Sequence, residues 1–146
     1  MDKGEKRVLV VDDDDAIRAL LMTILRRRGL AVDVARNGAE ALERLDRCRY
    51  AVMLLDMMLP IVNGWEVLDH LAQRDVSQRP VTIVLTAGTE PRDLNAELVA
   101  GSVRKPFDVE LLLDSVVACI AAMSVREQSA GCPPAESEQK DGSKMR

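Results

Sequence analysis

Apolar and polar positions along this chain alternate between two rhythms. Val8 to Val11, Ala31 to Ala35, Ala51 to Leu55 and Val81 to Leu85 are short, largely apolar runs, the first rich in β-branched residues, and Ser102 to Arg104 is a briefer stretch around Val103. Runs of that length and composition predict strands, the continuous ones buried on both faces. Between them the apolar spacing lengthens to three and four. Ile17, Leu20, Leu21, Ile24 and Leu25 form one stripe, and Ala41, Leu42, Leu45 and Cys48 a second. Val67, Leu68 and Leu71 form a third, and Leu112, Val116, Cys119, Ile120 and Met123 a last one. Each stripe predicts an amphipathic helix.

Local chemistry punctuates these helices. Asp14 or Asp15 is placed to cap the first, and Gly29 to close it after Arg26-Arg27-Arg28. Asn37 with Glu40, and Asn63 with Glu66, have capping-box spacing. A sparser helix is expected to open at Pro91, after Thr89 or Glu90, with Leu94, Leu98 and Val99 as its anchors. Five strands alternating with five helices predict an α/β fold, a five-stranded parallel sheet wound on both faces. In such sheets the ligand lies beyond the carboxyl ends of the strands, where strand order switches.

That rule selects the candidate chemistry. Asp12 and Asp13 follow the first run, Asp56 ends the third, Thr86 ends the fourth and Lys105 follows the fifth. Gathered carboxylates repel one another, and a hard divalent cation such as magnesium relieves the repulsion. A carboxylate is also a competent covalent nucleophile toward phosphorus. A lysine and a hydroxyl supply the charge and hydrogen bond that phosphoryl transfer needs. Asp56 is therefore the expected phosphoacceptor.

Composition narrows the classes. The chain has 146 residues, 47% hydrophobic and 30% charged, the balance of one globular domain. A formal net charge of -4 offers no basic field, and Tyr50, Trp65 and Phe107 are the only aromatics. No nucleic-acid partner is expected on that basis. Cys48, Cys119 and Cys132 lack metal-ligand spacing and are expected to be free thiols in a reducing compartment. Residues 1–7 lack the apolar core of a signal peptide, and no apolar run reaches the ~20 residues needed to span a bilayer. A cytoplasmic protein with no membrane partner is expected. From Val125 onward the composition turns polar, so residues 1–124 are expected to form the domain and 125–146 a disordered tail.

Four motifs together resemble the receiver domain of two-component response regulators, over roughly residues 7 to 124. They are Val10-Val11-Asp12-Asp13-Asp14, Leu55-Asp56-Met57-Met58-Leu59-Pro60 with Asn63-Gly64, Leu85-Thr86-Ala87, and Lys105-Pro106-Phe107. The resemblance implies a flavodoxin-like (βα)5 fold of the single-domain, chemotaxis-regulator kind, with strand order 2-1-3-4-5. It implies phosphorylation of Asp56 by a sensor histidine kinase and output through a downstream protein or phosphotransfer domain. It further implies magnesium held by Asp13, Asp56 and the Met58 carbonyl, with Asp12 acting through water. Thr86 and Lys105 would bind the phosphoryl group, and the Lys105-Pro106 bond would be cis. Such domains catalyse only their own phosphorylation from small donors and a slow dephosphorylation.

Two departures qualify that resemblance. The family's usual aromatic three residues before the lysine is Ser102 here, so output is expected to run through reordering of Thr86 to Glu90. Met58, bulky and apolar two residues beyond Asp56, is expected to slow attack by water. Met58 also argues against an aspartate-nucleophile phosphatase, which needs a second Asp at that position. A receiver-like adaptor working without phosphorylation is the alternative.

Overall fold

The computed structural model describes residues 6–87 and 94–124. Its strands are β1 (Arg7–Val11), β2 (Ala31–Ala35), β3 (Val52–Asp56), β4 (Val81–Thr86) and β5 (Val99–Arg104). They pair in parallel in the order β2-β1-β3-β4-β5. Four helices are described: α1 (Asp15–Arg27), α2 (Gly38–Arg47), α3 (Gly64–Ala72) and α4 (Val109–Ser124), with a short 3₁₀ turn at Val76–Gln78.

The pleat of the central strands divides the core in two. Leu9, Val11, Met53 and Leu55 point to a layer made with Leu45, Val67 and Leu71 of α2 and α3. Val8, Val10, Val52 and Leu54 point the other way, onto Leu21 and Leu25 of α1 and Leu112, Leu113 and Val116 of α4. Every residue of β3 is buried. Fully burying one such side chain contributes roughly 1.5–3 kcal/mol, so β3 is the strand least able to slip or fray.

Helix ends follow the expected chemistry. Asp14 caps α1, its Oδ1 accepting from Ala16 and Ile17. Gly29, at φ +84, turns the chain out while its amide and that of Leu30 satisfy the carbonyls of Arg26 and Leu25. Asn63 and Glu66 close a full capping box on α3. On α2, Asn37 accepts from the Glu40 amide, but the Glu40 carboxylate reaches past the cap to the Arg36 amide at 2.8 Å. At the far edge, Asp33 accepts from Tyr50 Oη at 2.6 Å and from Arg7 at 3.1 Å. Burial, and then the bond to Asp33, push the Tyr50 hydroxyl far above its ordinary range.

Three expectations need correction. The helix expected from Pro91 does not extend over its described part. Residues 96–98 form a turn, in which Asn95 accepts the amides of Leu98 and Val99 on its carbonyl and that of Glu97 on its side chain. An asparagine that captures nearby amides in this way competes with helix. Leu94 and Leu98 still pack against the core, Leu98 from the turn and Leu94 from the irregular chain before it. The expected opening of this helix, at Thr89 to Pro91, lies outside the described residues. Second, β5 begins at Val99, because this β-branched residue pairs with Thr82 across a register shift instead of ending a helix. Third, Cys48 is disulfide-bonded, whereas Cys119 is free. Cys48 sits half-buried in extended conformation at the end of α2, packed against the edge of the core. The expected tail, 125–146, lies outside the described residues.

Gly38 makes one contact on which the layout depends. A Cβ there would stand 2.0 Å from the Val62 carbonyl oxygen, so α2 begins directly against the loop that follows β3. Gly38→Ala should therefore lower stability by about 1–3 kcal/mol, the range for overpacking a close contact. Urea unfolding should show a lower midpoint with an unchanged slope, and an unshifted midpoint would mean that the loop yields freely.

Candidate functional site

Register brings the candidate residues to one end of the sheet. Val11 is level with Leu55, Asp56 with Leu85, and Thr86 with Arg104. Asp12 thus lies one step beyond β1, and Lys105 one step beyond β5. The Lys105 amide donates to the Thr86 carbonyl at 2.7 Å, drawing the start of the β5–α4 loop over the end of β4. The Lys105-Pro106 peptide is cis. The strand order reverses between β1 and β3, so Asp12 and Asp56 face each other across the switch point.

The carboxylates of Asp12, Asp13 and Asp56 have oxygens within 4.8 Å of one another. Asp12 and Asp56 are buried, and Asp13 is exposed at the mouth. One oxygen of each buried carboxylate is held by backbone. Asp12 Oδ1 accepts from the Asp14 amide at 2.9 Å, and Asp56 Oδ1 from the Met58 amide at 3.0 Å. The two remaining oxygens converge on Lys105, whose Nζ is 2.9 Å from Asp12 Oδ2 and 3.3 Å from Asp56 Oδ2. Asp12 Oδ2 nonetheless makes no hydrogen bond of good geometry while fully buried. Its one close partner is the Lys105 ammonium, so it has room for a second cation. Thr86 is buried at the end of β4, beside this group in register.

Charge is unevenly compensated. Burial raises the Asp56 pKa above its ordinary value, with the Asp12 charge adding to it, and the Met58 amide and Lys105 offset only part. For Lys105, burial disfavours the ammonium, but Asp12 and then Asp56 outweigh it and the net shift is upward. Two buried carboxylates thus share one ammonium, with the exposed Asp13 beside them. An unsaturated buried oxygen among hard oxygen donors is what a divalent cation such as magnesium fits.

Two further features escaped the pattern of the sequence. Arg18, on the first turn of α1, donates to the Asp12 carbonyl at 2.8 Å and pairs with Asp15, fixing the backbone that carries Asp12 and Asp13. An arginine six residues past an aspartate has no signature of its own. Ile61, beyond Pro60, has φ +70, and the Val62 amide closes on the Pro60 carbonyl at 2.7 Å. A β-branched residue there is strained, and the loop after Asp56 is held in that shape by its contact with Gly38. Met58 places its amide on Asp56 while its side chain is 72% exposed. Ser102 is half-buried on the edge strand.

A sequence model of the response regulator receiver domain matches residues 8–117. A transcriptional regulatory protein, the CpxR homolog of Haemophilus influenzae, is 38% identical over 116 residues, covering 78% of this chain and 50% of that protein. The DNA-binding response regulator MtrA of Mycolicibacterium smegmatis is 37% identical over 119 residues, covering 80% of this chain and 51% of that protein. Among solved structures, a CheY-like response regulator receiver domain protein from Methanospirillum hungatei JF-1 superposes with a TM-score of 0.73 at 26% identity. That superposition covers 84% of this chain and 99% of the other. The chain spans about half the length of these two regulators.

The expectation of no nucleic-acid partner is overturned by these relatives, one of which is named for binding DNA. The physical reason is that charge and aromatic content describe only this receiver-length chain. They carry no information about the other half of such regulators. Among the described residues no helix is long and apolar enough to cross a membrane.

The raised pKa of Asp56 has a consequence for stability. A folded value above the unfolded one gives stability that is full at low pH and lost as pH rises through the folded value. At neutral pH and without divalent cation, ionised Asp56 therefore weakens the fold. Asp56→Asn leaves Lys105 paired with Asp12 and should stabilise the protein by about 1 kcal/mol at pH 7. Thermal unfolding across pH should show that gain fading toward the ordinary carboxylate range. A loss of stability at pH 7 would reverse the assignment of the strain to Asp56.

Proposed function

The chain belongs to the response regulator receiver domain family, and from that premise we propose that it is a phosphorylation switch charged on Asp56 by a sensor histidine kinase. One observation carries the reading above the rest. The Asp56 oxygen that no backbone amide holds accepts from Lys105 at 3.3 Å, beside two further carboxylates, in a family that signals by phosphorylation.

In this reading Asp56 is the nucleophile. Its oxygen bonds to phosphorus as the bond to the donor breaks. Lys105 then pairs with a phosphoryl oxygen, and the Thr86 hydroxyl donates to another. Asp13, Asp56 and the Met58 carbonyl would hold magnesium, with Asp12 acting through water, and the ion would supply positive charge to offset that of the incoming group. The chain's own part is to keep the Asp56 oxygen aimed, through the Met58 amide on its partner oxygen, and to hold the cations close. Its chemistry is confined to its own phosphorylation and dephosphorylation. The names of the relatives support an output at transcription, reached from a cytoplasmic location.

Incubation with magnesium and a small phosphodonor such as acetyl phosphate should add one phosphoryl group, read by intact mass. Asp56→Asn should abolish the adduct, and Lys105→Ala should reduce it at least tenfold, about 1.4 kcal/mol of transition-state stabilisation. An adduct that persists in Asp56→Asn would reject the reading, and no adduct on the wild type would favour an adaptor that works without phosphorylation. Met58→Asn should shorten the adduct's lifetime several-fold by admitting water. An unchanged lifetime, with stability intact, would remove Met58 from that role.

A further inference from the structure

A second concentration of charge lies at the other end of β3, far from the phosphoacceptor. The chain from α2 into β3 is tied into the sheet there. The Ala51 amide donates to the Arg7 carbonyl at 2.8 Å, and the Ala51 carbonyl accepts from the Val81 amide at 2.9 Å. Beside it opens a cleft of about 190 Å³, between the end of α2 and the chain that leaves α3. Leu45 and Cys48 supply its apolar wall, and Arg47, Arg49, Arg74 and Gln78 its donors. Asp46 is the one carboxylate among the described residues that line it.

The three arginines are of two kinds. Arg74 serves the fold, donating to the Leu45 carbonyl at 2.9 Å and pairing with Asp46, while Arg79 holds the Arg74 carbonyl at 3.1 Å. The wall is fixed by these bonds, and its carboxylate is already paired. Arg47 and Arg49 have no hydrogen-bond or ion-pair partner among the described residues. The helix dipole accounts for Arg47, which lies in the last turn of α2. It does not account for Arg49, which stands beyond the cap and is half-buried. A guanidinium carries five donors, and burying them without an acceptor is costly.

We propose that this cleft binds a small phosphate compound, pyrophosphate or a phosphate monoester, through Arg47 and Arg49. The planar fork of a guanidinium matches two phosphate oxygens at once, and two such forks favour a ligand with more than one negative charge. The cleft has far more room than a single water needs. No aromatic side chain lines it, so nothing stacks a base and a nucleotide gains little there. The Asp56 end of β3 is lined by carboxylates and repels an anion when no cation is bound, so the two sites separate in the absence of divalent cation. A bound ligand stabilises the folded chain by mass action.

Titration calorimetry of the full chain with pyrophosphate, at low salt and free of divalent cation, tests the proposal. Binding should saturate, and thermal unfolding should shift upward with ligand concentration. No saturable binding would overturn it. Arg47→Met with Arg49→Met keeps both apolar stems and should weaken binding about tenfold or more. Arg26→Met with Arg27→Met removes the same charge from exposed positions at the end of α1 and should leave affinity unchanged. Equal losses in the two pairs would show only attraction to net charge and would sink the cleft as a site. Arg49→Lys keeps the charge but loses the fork, and should weaken binding several-fold at an unchanged urea midpoint. An unaltered affinity in that variant would remove Arg49 from the site. Asp56→Asn should bind as tightly as the wild type, and a loss there would move the anion to the phosphoacceptor. Competition by glycerol phosphate, set against inorganic phosphate, tells an esterified source from a free one. Equal competition by acetate at the same ionic strength would overturn the phosphate class.

Discussion

The ammonium of Lys105 is the interaction on which the candidate site depends. Two buried carboxylates, Asp12 and Asp56, each spend one oxygen on a backbone amide and turn the other toward it. Without that charge the end of the sheet would gather negative groups with nothing to offset them, a cost that a buried site does not tolerate. Lys105 reaches them because its own amide is tied to Thr86, and because β5 lies at the edge next to β4. Sheet register, loop anchoring and electrostatics are one arrangement here.

That arrangement is deliberately under-neutralised. One ammonium faces two buried carboxylates with a third at the mouth, and Asp12 Oδ2, although buried, has only its ion pair with Lys105. A fully satisfied site would be more stable and would have no use for a cation or a phosphoryl group. The tension at Asp56, shown in the upward shift of its pKa by burial and by Asp12, is what an arriving cation relieves. The strained turn at Ile61 lies in the same loop, pressed on by α2 at Gly38. Local strain beside a site persists only where the surroundings over-determine it, and here the close helix packing does so.

The opposite end of β3 differs in kind. Aspartates dominate around Asp56, whereas arginines surround Cys48. The sheet separates an anionic centre suited to a cation from a cleft lined by arginines, and a wholly buried strand joins the two.

Much of this was legible in the sequence. The continuous runs at Val8 and Ala51 had to be buried strands, because nothing in them could face water, and the polar residue ending each run marked the site. Asn63 with Glu66 and Gly29 after three arginines specified helix ends by hydrogen-bonding chemistry alone. The Pro91 helix misled, since Leu94, Leu98 and Val99 have helical spacing, but Asn95 captures the nearby amides and Val99 is drawn into the sheet. The Gly38–Val62 contact left no trace in local pattern, because it depends on residues distant in sequence being brought together, and the bond of Arg18 to the Asp12 carbonyl left none because no motif has that spacing. The sequence by itself determined the elements and the identity of the site's charged groups, which follow from local periodicity and strand ends. Only the tertiary structure decided how those charges are shared, because the balance at Asp56 is set by distances between strands that no local rule contains.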